Sequence, residues 1–141
     1  MLVVIDTSTL ISGVLWTGLP HRLIELAEAR QITLCATEEM LVELREVVSR
    51  PKFATKVRDR LTSVEEIMQS ILALVALYPV LPSSGLVQAD PGDDKIVACA
   101  LAAGAEYLIS SDEHLLDLKS VGDVRILTAR EFLAERFPSA L

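Results

Sequence analysis

The sequence predicts an α/β fold, a parallel sheet of about five strands covered by helices on its faces. Three observations predict it. Short apolar runs alternate with amphipathic stretches along the chain, the order expected when each strand is followed by a crossover helix. Apolar residues make up 51% of the chain but aromatics only 4%, so the core is built from Leu, Val, Ile and Ala, as in sheets buried on both faces. The length of 141 residues suits a single domain over 1–141, large enough to form a core without disulfides or a structural metal, and no repeat, low-complexity tract or interdomain linker interrupts it.

The chain opens with MLVVIDTSTLISG. Residues 2–5 form an apolar strand that stops on Asp6, after which Leu10, Ile11, Val14 and Leu15 keep helical spacing until Gly18 and Pro20. Pro20 opens a second helix carrying Leu23, Ile24, Leu26 and Ala27, and ITLCA from Ile32 is the second strand. Thr37 caps a helix whose core side is Met40, Leu41, Leu44, Val47 and Val48. That helix ends near Pro51, because the residue before a proline resists helical geometry. Thr62 and Glu65 have capping-box spacing for a long helix running to about Leu77, with Tyr78–Leu81 as the third strand. PSSGLVQADPGDD reads as a loop, and Asp93 or Asp94 opens an Ala-rich helix stopped by Gly104. EYLIS is the fourth strand, SDEHLLDL a loop with a short helix, and VRIL the fifth strand; Thr128 and Glu131 then form a second capping box for the terminal helix.

Several classes of function are set aside by composition. The longest apolar stretch, ILALVALYPVL, is too short for a membrane span and is broken by Pro79. The first residues carry neither a basic leader nor a cleavage signature, so the expectation is a cytoplasmic protein with no membrane partner. Cys35 and Cys99 lie far apart in apolar segments without CxxC spacing and are read as buried thiols. A formal net charge of −7 argues against a polyanionic partner, yet five of the eleven residues in RPKFATKVRDR are Arg or Lys. That run is either a solvated helix face or a patch for phosphates, and composition leaves both open.

Chemistry enters with the acids. Asp6 follows the first strand directly, and Asp112 follows the fourth after Ser110 and Ser111. In open parallel sheets ligands bind beyond the carboxyl ends of the strands, near the point where strand order reverses. Asp93 or Asp94 begins a helix that can start at the same edge. Among the acids of the third helix, Glu43 lies roughly 100° from the middle of the apolar stripe, whereas Glu38, Glu39 and Glu46 lie roughly 120° to 160° away. Glu43 is therefore the acid nearest the buried border. Taken singly, each acid reads equally as a helix cap or an exposed charge, and Asp6 as the cap of the helix that follows it. Gathered together they would repel one another unless protonated or holding a cation. An all-oxygen set suits Mg²⁺ or Mn²⁺ rather than zinc, and such a site can hydrolyse phosphodiesters, with Ser8 and Ser110 orienting the acids or the water.

VVIDTSTLISGVL, ELREVVSRPKF and DPGDDKIVACALAAGAEYLISSDEHLLDL, in this order, resemble the PIN-domain family, in particular its branch of VapC-like toxins from toxin–antitoxin pairs. The resemblance spans nearly the whole chain. It implies a Rossmann-like, three-layer fold with strand order 3-2-1-4-5 and a Mg²⁺- or Mn²⁺-dependent endoribonuclease acting on single-stranded or structured RNA. The acidic site it implies is Asp6, Glu43, Asp93 and Asp112. Family spacing favours Asp93, three residues before Ile96, over Asp94 as the third acid. The basic run gives Arg50 and Lys52 as substrate contacts, with antitoxin binding a competing use of the same surface. Beyond RNA, the partners this reading allows are a small antitoxin protein and a second copy of the chain.

Rival readings fail on particular residues. A haloacid-dehalogenase-type phosphatase needs a second Asp two residues after the first, where Ser8 stands. A receiver domain needs a Lys after its fifth strand, and VRILTAREF has none. DTSTLISG contains no GxGxxG turn for a dinucleotide. Within the family, a housekeeping RNA-processing nuclease and a non-catalytic RNA-binding or regulatory module stay open. A small DNA-binding protein encoded immediately upstream would favour the toxin, and metal titration separates an active site from a degenerate one.

Overall fold

The computed structural model describes residues 1–79 and 91–141, with backbone alone for 91–94. In chain order the elements are β1 (Leu2–Ile5), α1 (Thr7–Leu15), α2 (Leu19–Glu28), β2 (Thr33–Ala36), α3 (Glu38–Val48), α4 (Pro51–Asp59), α5 (Val64–Leu74) and β3 (Val75–Leu77). They are followed by α6 (Pro91–Ala103), β4 (Tyr107–Ile109), α7 (Glu113–Leu116), β5 (Ser120–Val121), β6 (Val124–Leu127), α8 (Ala129–Arg136) and a final 3₁₀ turn at Pro138–Ala140. Helices flank a sheet with strand order β3-β2-β1-β4-β6-β5. All pairings are parallel except β5 with β6. The expected order 3-2-1-4-5 therefore holds for the parallel strands, with one antiparallel strand of two residues added beyond the last. Gly122, at φ 58, supplies the left-handed residue of the tight turn between β5 and β6.

β1 sits in the middle of the sheet, and Val3 and Val4 are fully buried because helices cover both of its faces. Cys35 and Cys99 are free, buried thiols, as expected. Desolvation raises the pKa of both and pushes Cys99 to about 12, so these side chains serve as small apolar groups. Among the described residues no helix is long and apolar enough to cross a membrane.

Four boundaries differ from the sequence reading. α4 forms over the basic run, with Pro51 at its first turn where a missing N–H is harmless. The cap of α5 is Ser63, whose side chain accepts from the Glu66 amide at 3.2 Å, and Thr62 lies just outside. α5 ends at Leu74, and the third strand is Val75–Leu77, three residues earlier than expected, since β2 pairs there. Of the expected strand, Val80 and Leu81 lie outside the described residues, as does most of the PSSGLVQADPGDD loop. α6 starts at Pro91, two residues before Asp93. Its other end is as expected: Gly104, at φ 63, lets the Ala105 amide reach back to the Ala100 carbonyl at 3.0 Å, a Schellman closure.

α1 and α2 pack closely because Gly13 has no side chain. A Cβ there would stand 2.8 Å from the Pro20 carbonyl oxygen and 3.0 Å from Ile24 Cγ1. Gly13→Ala is expected to destabilise the protein by about 1 kcal/mol, since overpacking costs about 2 kcal/mol in the middle of its usual range and helix propensity returns about 1 kcal/mol. The measurement is a thermal melt, in which the midpoint should fall by about 5 °C. An unchanged midpoint would show that the two helices can separate without cost.

Candidate active site

The carboxyl ends of β1 and β4 meet at one point. The ladder continues past both strands, with the Asp6 amide donating to the Ile109 carbonyl and the Ser110 amide to the Leu127 carbonyl, each at 3.0 Å. Asp6 and Ser110 are thereby set side by side in the middle of the sheet edge. Asp6 is 4% exposed and Ser110 1%. A buried carboxylate needs hydrogen bonds, and Asp6 has them: Oδ1 accepts from the Thr9 amide at 2.9 Å and from Ser8 Oγ at 3.5 Å, while Oδ2 accepts from Ser110 Oγ. The first of these bonds makes Asp6 the N-cap of α1. The cap reading and the site reading are thus compatible in one side chain.

Ser110 carries the link onward. Its hydroxyl gives its proton to Asp6 and accepts from the Asp112 backbone amide at 2.9 Å, so one buried side chain links the first acid to the backbone that carries the second. Asp112 is half-buried and caps α7, with Oδ1 accepting from the His114 amide at 2.8 Å. Glu43 reaches the same place from α3, which starts at the carboxyl end of β2 under the Thr37 cap. Its carboxylate lies 3.7 Å from Lys95 Nζ, tying α3 to the beginning of α6.

Asp6, Glu43 and Asp112 line one open pocket of about 430 Å³, together with the hydroxyl residues Thr7, Ser8 and Ser12 and the apolar Ile11, Val47 and Ile96. Arg50, Lys52, Phe53 and Trp16 form the remaining wall. Arg50 is engaged by Glu46 at 3.1 Å, whereas Lys52 makes no ion pair among the described residues. The side chains of Asp93 and Asp94 lie outside the described residues. Among the described residues, no three acidic, histidine or cysteine side chains come together closely enough to hold a metal ion. The donor chemistry still suits a hard divalent cation: three carboxylates and several hydroxyls face one cavity without a soft ligand.

The sequence reading brought the acids to this edge but missed three residues. Trp16, Phe53 and Lys56 meet where the end of α1 touches α4: the two rings lie 6.4 Å apart, and Lys56 Nζ lies 5.3 Å from the Trp16 ring centroid. The signal available was the interleaving of Phe53 between Lys52 and Lys56 in the basic run.

A parallel α/β sheet with acids gathered where its strand order reverses defines a class of protein that works on ligands beyond the carboxyl edge. A family model described as a PIN domain matches residues 2–114, and the chain belongs to the PIN-domain family. Domains of this family are in general nucleases that use divalent metals and bind RNA. No curated protein and no solved structure matched the chain significantly. The matched span contains all four expected acids and ends two residues past Asp112, so β6 and α8 lie beyond it.

Proposed function

We propose that this chain is a Mg²⁺- or Mn²⁺-dependent endoribonuclease of the cytoplasm, and that its biological role is the toxin of a toxin–antitoxin pair. The observation that carries the catalytic part is the gathering of the Asp6, Glu43 and Asp112 side chains on one pocket, with Ser110 bonded to the Asp6 carboxylate and to the Asp112 backbone amide. The toxin role rests on the resemblance of the motifs.

In this reading Asp6, Asp93, Asp112 and Glu43 hold the cation. When bound, the cation supplies Lewis acidity toward the phosphodiester and a nucleophilic water at neutral pH. Ser110 ties the Asp6 carboxylate to the Asp112 backbone, and the His114 amide holds the Asp112 carboxylate. Ser8, 3.5 Å from Asp6 Oδ1, holds that oxygen or orients the water. Glu43, 3.7 Å from Lys95 Nζ, would help to hold the cation, and Lys95 stands beside it where it could meet a phosphate oxygen. Lys52, at the mouth of the pocket, steers the backbone of the substrate, and Arg50 adds to it when released from Glu46.

The test is cleavage of RNA by purified protein. Cutting should require Mn²⁺ or Mg²⁺ and stop in chelator. Charge reversal at Arg50 and Lys52 should weaken binding and flatten its salt dependence, by about one unit of slope for each phosphate that is no longer neutralised. Metal-dependent RNA binding with no cleavage by wild type would instead assign the chain to the non-catalytic modules.

A further inference from the structure

The pocket that the acids line also carries an arrangement that metal chemistry does not use. Trp16, the one tryptophan of the chain, stands at the end of α1 with 43% of its surface exposed. Phe53 of α4 meets it edge to face, with an interplanar angle of 70°. Lys52 Nζ lies 5.0 Å from the Phe53 ring and Lys56 Nζ 5.3 Å from the Trp16 ring, within cation–π reach. Neither lysine makes an ion pair among the described residues. Packing alone explains this poorly, because tryptophan is on average among the well-buried residues, and here much of the indole is left in water in the pocket that the acids share.

We propose that Trp16 and Phe53 form a stacking subsite for an unpaired nucleobase of single-stranded RNA, adjoining the phosphate that the acids address. The proposal rests on the nuclease reading and adds to it the residues that hold a base. Proteins that hold single strands combine aromatic faces with nearby cations, the first taking bases and the second the backbone. Here the rings and both lysines come from the end of α1 and the first turns of α4, and the acids line the same cavity as the rings. A volume of about 430 Å³ falls in the range of small-ligand sites, enough for one nucleotide rather than a helix. A base in a duplex is already stacked on its neighbours and has no face to offer.

Since Trp16 is the only indole, its fluorescence reports the subsite directly. Wild-type protein is titrated in Ca²⁺, which satisfies oxygen ligands, with a short single-stranded oligoribonucleotide, the same strand carrying abasic positions, the corresponding duplex, and an acidic peptide. The single strand should quench Trp16, and the abasic strand and the duplex should not. Trp16→Ala should weaken binding of the single strand by about 5- to 150-fold, Trp16→Phe should recover most of that loss, and both should melt like wild type. Unchanged affinity in Trp16→Ala, or equal quenching by the abasic strand, overturns the subsite. Quenching by the acidic peptide but not by RNA overturns it in favour of a protein partner. Cleavage of RNA in Mn²⁺ without quenching leaves the nuclease reading standing and removes the subsite. Quenching without cleavage does the reverse.

Discussion

Asp6→Asn is expected to cut RNA at least about 100-fold more slowly than wild type while melting at nearly the same temperature. The magnitude follows because losing a residue that only supports a metal ligand already costs about 10–100-fold, and Asp6 is proposed as a ligand itself. The retained stability follows from the hydrogen bonds. Asparagine caps a helix about as well as aspartate, so its carbonyl can keep the Thr9 amide. Its amide can then donate to Ser110 Oγ, whose second lone pair is available beside the Asp112 N–H. Asp6→Ala would confuse the experiment, since it also strands a buried amide and removes a cap worth about 1 kcal/mol. Cleavage rates in Mn²⁺ alongside circular-dichroism melts decide the matter. If Asp6→Asn cuts as fast as wild type, the assigned site is wrong and the activity belongs to something else in the preparation.

Asp93→Asn is expected to abolish cleavage and weaken metal binding, and Asp94→Asn to leave substantial activity. Both positions fall in the first turn of α6, where the helix end favours negative charge. They differ in the face on which they lie. Ile96 lines the acid pocket, and positions three apart on a helix share a face, so the proposal assigns the metal to Asp93 and not to Asp94, whose position is turned about 100° from it. Lys95, in contact with Glu43, places this end of α6 against α3 and so beside the other acids. Activity of the two variants, read with calorimetric titration of Mn²⁺, makes the comparison. A dead Asp94→Asn with an active Asp93→Asn, both folded, would shift the functional register of the helix by one residue.

The elements that could be read from the chain are those whose signal is local. β1 stops at Asp6 because the apolar run stops there, and the Thr128–Glu131 box announces α8 through reciprocal bonds of 3.1 and 3.0 Å that need no tertiary help. The start of α5 could not be resolved in this way. Thr62 and Ser63 are adjacent hydroxyls, and each has a glutamate three residues on; in the fold Ser63 accepts from the Glu66 amide, Thr62 reaches the Glu66 carboxylate at 3.5 Å, and the Glu65 side chain is drawn to Arg45 of α3. In ILALVALYPVL the apolar residues run on without a period, so nothing local marks where helix gives way to strand. The ladder to β2 sets that point, through Leu34 opposite Val75 and the Tyr78 amide bonded to Ala36. The placing of Asp6, Glu43 and Asp112 on one pocket was legible for the same reason as β1: they follow strands or lie on a computable side of a helix. The meeting of Trp16 with Lys56 was not, because it depends on folding that brings α4 beside the end of α1.

The antiparallel strand β5 has a consequence for how molecules of this protein meet. An open edge of a sheet presents unpaired amides and carbonyls that recruit strands from other chains, the route by which many sheet proteins aggregate. β6 would offer four residues of such a template, but the turn at Gly122 folds β5 back over it, leaving a terminal strand of only two residues. So short a strand gives an incoming chain too few partners to anchor a register. Growth of the sheet from one molecule into the next is therefore blocked on this side, and copies of the protein concentrated together can associate here only through side-chain surfaces.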